Sequence, residues 1–397
     1  MSGPIYSTNV LLADAAGRHA WNEKLLGEGP VHRITLQSGE TAWLVVGHDE
    51  ARKALIDLRL QGRTATVGNG RRMPEDLKRA MNSHMLNVGP PDHTRLRRLV
   101  SAAFTRRRME RMRPRIQQLT DGLLDPLDRP GEVDLIAGLA LPLPMLVLVD
   151  LFGIPEEDCD DFHGWTTTIT SSGALPRDQL NASAAQMVHY VRSLLDRKRR
   201  APQPDLLSAL VAVRDGEDQL SEDELTSMVF LLLTAGHETT VNLIGNGIMS
   251  LLTHPDQLAR LRAEPELLPG VVEETLRFES PVQVALRYST AAVELAGETI
   301  PAGATVLVSL LGANRDPQRF DDPHRLQIDR ADNAQLGFGY GFHHCIGAPL
   351  ARLEGIVAIG TLFRRFPRIR LARPAETLTW RTSMIMHGLN DLPVHLH

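Results

Sequence analysis

QLGFGYGFHHCIGAPLARLEG, residues 335–355, is the stretch on which the reading of this chain turns. Gly337, Gly339 and Gly341 precede Cys345, and Gly347 follows it and opens a helix. Glycine lets the main chain approach a flat ligand closely and adopt positive φ. A thiolate at a helix N-terminus has amide N–H groups pointing at it, which stabilises its negative charge. Such a sulfur suits a soft metal gripped from one side. Two other readings stand beside this one. A structural cysteine buried in a tight turn would not need the glycine spacing. A zinc ion on His343, His344 and Cys345 would need adjacent ligands to span a tetrahedron, and no CxxC pair accompanies them.

Upstream, Ser221-Glu222-Asp223-Glu224 forms a capping box, apolar residues continue to Leu252, and His254-Pro255 ends the run. The 32 residues predict a helix of roughly 48 Å, apolar enough to run through the centre of the molecule. Inside it stands Ala235-Gly236-His237-Glu238-Thr239-Thr240. Glycine in a helix interior costs about 1 kcal/mol against alanine, and a carboxylate among apolar residues is unfavourable unless used or paired. Such local rule-breaking marks function; a kink satisfied by threonine hydroxyls is the other reading.

The remaining pattern predicts one mainly α domain, residues 1–397, with small β-sheets. Ile34–Leu36 and Ala42–Val46 are β-like and HDEARKALID has helical spacing. Gln61–Asn87 reads as a long functional loop, and Asp92 is placed to cap a helix reaching Ala103. Helices fill Met109–Val213, another covers Glu266–Phe278, short strands follow at 293–295 and 305–308, and a last helix spans Ala348–Phe363.

Taken together, Phe338-Gly339-x-Gly341-x-His343-x-Cys345-x-Gly347 resembles the haem-binding loop of the cytochrome P-450 family. The match is to soluble bacterial, actinobacterial members, which continue into Ala-Pro-Leu-Ala-Arg-Leu-Glu as residues 348–354 do here. The resemblance implies that fold, with its long helix over the haem, and haem b (iron-protoporphyrin IX) as cofactor. Cys345 would be the metal ligand, with Phe338 and His343 at the haem. Phe342 is bulkier than usual, and His344 stands where phenylalanine is common; His344 either adds a hydrogen bond near the sulfur or faces outward.

By the same resemblance, Ala235 and Gly236 leave room for O₂, Thr239 hydrogen-bonds it, Glu238 relays protons, and His237 faces away. Cleaving O–O takes two protons, which an adjacent acid and alcohol can carry, while thiolate ligation favours the cleavage. His93 and Arg97 share one helical face and resemble the family's propionate-binding pair, as do Arg287 and His343; Arg95 and Arg98 read as solvated. Glu274 and Arg277 look like the ExxR element, with Arg325 as third member, a structural group. Family register lines the substrate pocket with Leu86, Val88, Leu232 and Ala235, and with Val284, Ala285, Met384 and Ile385. All are apolar, which implies a sizeable hydrophobic substrate such as a macrolide, another polyketide or a sterol-like molecule.

Composition sets the outer bounds. Hydrophobic content of 43% with 23% charged residues is ordinary for a globular protein. A net charge of −5 argues against nucleic acid as partner. The most apolar stretch, Leu135–Pro155, is broken by Pro142, Pro144 and Asp150, so no membrane anchor is expected. The N-terminus lacks a basic lead and an apolar run, and the two cysteines, Cys159 and Cys345, read as free thiols in a reducing cytoplasm, although counting leaves a disulfide open. Nine arginines from Arg95 to Arg115 face one acid, Glu110, a local positive patch that steers an acidic partner.

The resemblance makes that partner a ferredoxin reduced by a separate NAD(P)H-dependent reductase, and the enzyme a monomeric monooxygenase that hydroxylates, with epoxidation as the variant. A peroxide-driven enzyme would lack the Glu–Thr pair. A non-catalytic haem sensor or electron carrier is the alternative from another class, and it predicts a closed pocket and no turnover.

Overall fold

The capping box forms as written: Glu224 N donates to Ser221 Oγ at 3.2 Å, and Ser221 N donates back to Glu224 Oε2 at 2.8 Å. The helix it starts runs Glu222–Thr253, 32 residues. Residues 6–7, 11, 14–36, 38–62, 74–170, 176–214 and 219–397 are described by this computed structural model, in which helices dominate and sheets are small. The chain gathers into two units, one of Met1–Gln61, Ile116–Leu143 and Thr239–His397, the other of Gly62–Arg115 and Pro144–Glu238.

The first unit is built on a six-stranded sheet in the order Tyr6–Ser7, Val31–Thr35, Thr41–Val45, Thr305–Ser309, Val284–Ser289, Leu60–Gly62. Val31–Thr35 and Thr41–Val45 form an antiparallel hairpin. Thr41–Val45 runs parallel to Thr305–Ser309, which pairs antiparallel with Val284–Ser289, setting Arg287 opposite Val306. Strand alternation feeds two cores. Trp43, Val45, Val306 and Val308 pack with Ala51 and Leu55, while Ala42, Leu44 and Leu307 pack with Trp21 and Leu25. Asparagine and backbone bonds tie the later segments down, notably Asn246 Nδ2 to the carbonyls of Glu279 and His387 at 3.0 and 2.9 Å.

The second unit is helical and tied by arginines to the acidic first turn of the long helix. Arg95 pairs with Glu224 and Arg199 with Glu222, while Arg79 and Arg192 reach Asp223 at 3.3 and 3.0 Å. Those acids also complement the helix N-terminus. Lys198 and Asp205 form a buried pair, and Lys198 Nζ also donates to the Gly153 carbonyl at 2.8 Å.

Three elements depart from expectation. The predicted loop 61–87 contains a helix at Glu75–Asn82; Pro74 precedes it, Glu75 and Asp76 occupy its first turn, and Leu77, Ala80 and Met81 are buried at helical spacing. Residues 63–73 of that loop lie outside the described residues. Asp92 begins the helix Asp92–Ala103 from inside its first turn and is not its cap, that position being Pro91. Pro255 ends the long helix but also opens a further one, Pro255–Ala263, because proline at a first helical position gives up no hydrogen bond.

Candidate active site

Cys345 sits where the glycine loop meets the helix Ala348–Arg365, with Gly347 at that helix's N-cap. The loop closes through Cys345 N donating to the Phe338 carbonyl at 2.8 Å and Gly339 N to the Leu336 carbonyl at 2.7 Å. Gly339 and Gly341 take φ of 72° and 71°, values that side chains disfavour. Cys345 is exposed, and neither it nor Cys159 is in a disulfide, which removes that reading. Phe338 rests on Leu243, Val272 and Leu276, and the Arg352 guanidinium lies 4.6 Å from its ring. Arg352 is itself fixed by Glu273 at 2.5 and 3.1 Å. Phe342 packs on His343 with ring centres 4.6 Å apart, and His344 packs against Phe338 at 6.2 Å.

A buried ion pair holds the segment leading into this loop. Glu274 and Arg277 are both 0% exposed and meet in a fork, Arg277 Nε to Oε2 at 2.8 Å and Nη2 to Oε1 at 2.7 Å. Arg277 also donates to the carbonyls of Asn314, Pro323 and Arg325 at 3.0, 2.8 and 3.0 Å. The third side chain here is not that of Arg325, as expected, but that of Arg330, whose Nε reaches Glu274 at 3.3 Å. Arg325 supplies only its carbonyl, and its side chain is exposed. Asn333 Nδ2 and Gln327 N complete the carboxylate's shell at 3.1 and 2.9 Å.

The long helix opens in its middle. Residues 225–233 and 240–251 are buried, yet Ala235 is exposed and Thr234, Gly236, Glu238 and Thr239 are only half-buried. Ala235, Glu238 and Thr239 stand at i, i+3 and i+4, one face of the helix. His237, on another face, is 6% exposed. A Cβ on Gly236 would meet Leu148 at an ordinary 3.4 Å, so packing there does not demand glycine. The segment is α-helical throughout, and just before it the Thr234 hydroxyl bonds back to the Phe230 carbonyl at 2.9 Å.

Each unit carries part of the expected cationic set. In the second, His93 is 1% exposed and Arg97 half-buried; burial, then the Arg97 charge, holds the His93 imidazole below its usual range. In the first, Arg287 is 6% exposed, and its Nη1 donates to the Leu286 carbonyl at 2.9 Å. No carboxylate among the described residues faces it, and burial alone pulls its pKa down to about 10. His343 is half-buried beside the cysteine. A buried guanidinium without a counter-charge is unfavourable. The donor set of Cys345 thiol and Arg287 cation therefore fits a group bringing both a soft metal and a carboxylate, as haem does.

Of the expected pocket residues, Leu86 and Val88 are half-buried and Leu232 is 9% exposed. Ile385 is brought to the start of the sheet strand by Gln283 N donating to its carbonyl at 2.8 Å, near half-buried Ala285. Val284 is a correction. Neighbours on a strand face opposite ways, and Val284, 1% exposed, packs in the core with Leu44, Val46 and Leu307, where Met384 joins it.

Sequence reasoning missed two buried groups. Glu279 accepts from His19 Nε2 at 3.0 Å, His387 Nε2 at 2.6 Å and Arg315 at 3.2 Å. Burial pushes its carboxyl up, but these partners more than offset that and hold it well below the usual range. The trio has a metal-ligand composition. Arg18 Nη1, however, donates to His387 Nδ1 at 2.8 Å, which places the imidazole proton on Nε2, the atom a metal would need. The second is Glu354, 2% exposed, whose carboxyl burial pushes up to about 8. Only the break in the apolar pattern at position 354 could have signalled it.

Comparison with known proteins agrees with this geometry. Residues 176–371 match the family model "Cytochrome P450". Cytochrome P450 107B1 of Saccharopolyspora erythraea is 49% identical over 376 residues, 92% of each chain. The 6-deoxyerythronolide B hydroxylase of the same organism is 44% identical over 367 residues, 90% of this chain and 91% of that one. The ligand-free structure of the P450 monooxygenase TamI superposes with a TM-score of 0.89 at 42% identity, covering 100% of this chain and 95% of the other.

Proposed function

The chain belongs to the cytochrome P450 family and is a haem b monooxygenase, and on that premise we propose that Cys345 is the iron's thiolate ligand and that the substrate is a sizeable hydrophobic secondary metabolite. When bound through Cys345, haem would supply an iron able to activate O₂. The observation that carries the assignment is a cysteine outside any disulfide on a positive-φ glycine loop, with a carboxylate-less guanidinium buried in the same unit.

Phe338, clamped by Arg352, fixes the loop beneath the sulfur. Arg287 and His343, and His93 and Arg97, would each be cationic partners for the haem's propionates. Ala235 and Gly236 leave space for O₂, Thr239 donates a hydrogen bond to it, and Glu238 passes protons from solvent to Thr239. The glycine and polar residues that interrupt the apolar helix at 235–240 support this division of roles, and a relative that is a hydroxylase tells against a non-catalytic sensor or electron carrier. Leu86, Val88, Leu232, Ala285 and Ile385 are apolar and leave few polar contacts to orient a substrate, which supports a polyketide-like molecule. The relative that hydroxylates 6-deoxyerythronolide B supports the same class, with hydroxylation as the reaction and epoxidation as its variant. We read residues 1–397 as one catalytic domain, since relatives match over nine-tenths of their length.

Electrons come from a redox partner, which we propose to be an acidic ferredoxin served by a separate NAD(P)H-dependent reductase. Arg106, Arg107 and Arg111, in the helix Arg106–Arg111, give it a cationic landing. Among the described residues no helix is long and apolar enough to cross a membrane; two cysteines outside any disulfide suit a reducing cytoplasm, where we take the enzyme to work as a monomer.

The test is direct. Reduced protein under carbon monoxide should show the red-shifted absorption of thiolate-ligated haem, and Cys345→Ala should abolish both this band and turnover. A wild-type protein without the band ends the assignment.

A further inference from the structure

We propose that Ile56 and Leu58, with Arg52 beside them, form an apolar seat for the acidic iron–sulfur protein that delivers the electrons; this rests on the ferredoxin reading above. Among the described residues these two are the exposed large apolar side chains, at 48% and 57%. They stand two positions apart, at the end of the helix His48–Ile56 and just beyond it. Apolar residues scattered singly on a surface need no explanation. This pair is distinguished by what it adjoins.

Ile56 lies flat on the main chain of Gly341, so closely that a Cβ there would collide with it. Gly341 is four residues from Cys345. On the same helix, Arg52 donates to the Tyr340 hydroxyl at 2.6 Å and lies 4.6 Å from that ring. The end of this helix is thus the outer neighbour of the segment that carries the cysteine. Electron transfer weakens steeply with distance, so a donor protein gains rate by pressing against that segment or whatever covers it.

Charge narrows the occupant further. Lys53 is neutralised by Glu50 at 3.3 Å and Arg59 by Asp57 at 2.6 Å. Arg52 pairs with no carboxylate among the described residues, its partner being a tyrosine hydroxyl. An apolar centre rimmed by one uncompensated cation is complementary to an acidic partner with an apolar contact of its own.

The experiment uses haem-loaded enzyme, a surrogate [2Fe–2S] ferredoxin with its reductase, and carbon monoxide to trap each reduced molecule. In Ile56→Ser/Leu58→Ser the ferredoxin concentration giving half-maximal reduction should rise about tenfold. The dithionite-reduced carbon monoxide spectrum should not change. Leu58→Ser alone, which leaves the Gly341 contact intact, should show a smaller rise in the same direction. Arg106→Glu is run in parallel. If it weakens the ferredoxin and the Leu58 variants do not, the seat is wrong while the ferredoxin reading stands; if no variant responds, both fall. A concentration-dependent dimer of the wild type that Leu58→Ser dissolves would assign the seat to a second copy of this chain and overturn the proposal.

Discussion

Arg277 and Arg287 stand ten positions apart, both buried, at 0% and 6% exposed, and the fold treats them oppositely. Arg277 meets both oxygens of Glu274 and three carbonyls. Arg287 has one neighbouring carbonyl, and burial drags its pKa down to about 10 with no carboxylate to restore it. A buried guanidinium whose donors are satisfied from within its own chain is architecture. One left without a counter-charge is a receptor for a charge that arrives with a ligand. The same contrast separates Glu274, surrounded by donors, from Glu354, which has an unpartnered buried oxygen.

The hardest blow to this contrast comes from the satisfied side. Glu274→Gln keeps the shape and strands the Arg277 charge, so the fold should lose about 3–5 kcal/mol. Urea unfolding of the haem-loaded protein reads this directly. A loss under about 1 kcal/mol, the range of an exposed pair, would mean water reaches the hub and the contrast with Arg287 is empty.

How much of this was legible beforehand follows from where the information lies. The cysteine loop could be read because its chemistry is contiguous: three glycines, a histidine, a thiol and a helix start within a dozen residues. The capping box at Ser221 and the open turn at Ala235–Thr239 are likewise local patterns. Arg330 could not be told from Arg325 in DDPHRLQIDR, since both are arginines in one irregular segment and only the tertiary path of residues 314–333 decides which side chain reaches Glu274. Val284 was misplaced because strand alternation says that neighbours diverge without saying which face meets the core. The helix Glu75–Asn82 lay hidden in a region read by its glycines as a loop. The clasp of His19, Glu279 and His387, braced by Arg18 across 369 positions from His387, has no local pattern to announce it.

Glu354 sharpens the comparison through pH. Its carboxyl is held near 8 in the fold against 4.5 in the unfolded chain, by burial. Below about pH 4.5 it is neutral in both states and adds no penalty. Between about 4.5 and 8 the unfolded chain ionises while the fold keeps its proton, so stability drops by about 1.4 kcal/mol per pH unit, and the loss levels off above 8. Glu354→Gln removes that slope, and at pH 7 the variant should be more stable by about 3 kcal/mol, with little difference at pH 4.5. Urea midpoints at the two values settle it: a stability gap independent of pH would mean the carboxyl is already paired or wet.

Arg287→Gln is the finest discriminator, because its two readouts should move in opposite directions. In protein stripped of haem the substitution removes an uncompensated buried charge, so stability should hold or rise by about 1 kcal/mol. In haem-loaded protein it removes the proposed charge-assisted partner of a propionate, so haem should escape to an excess acceptor about tenfold faster. Arg277→Gln offers no such split, since its donors serve the chain itself and both forms should weaken together. If Arg287→Gln destabilised the stripped protein as much as Arg277→Gln does, Arg287 would be part of the architecture, and the carboxylate it is said to await would lie elsewhere.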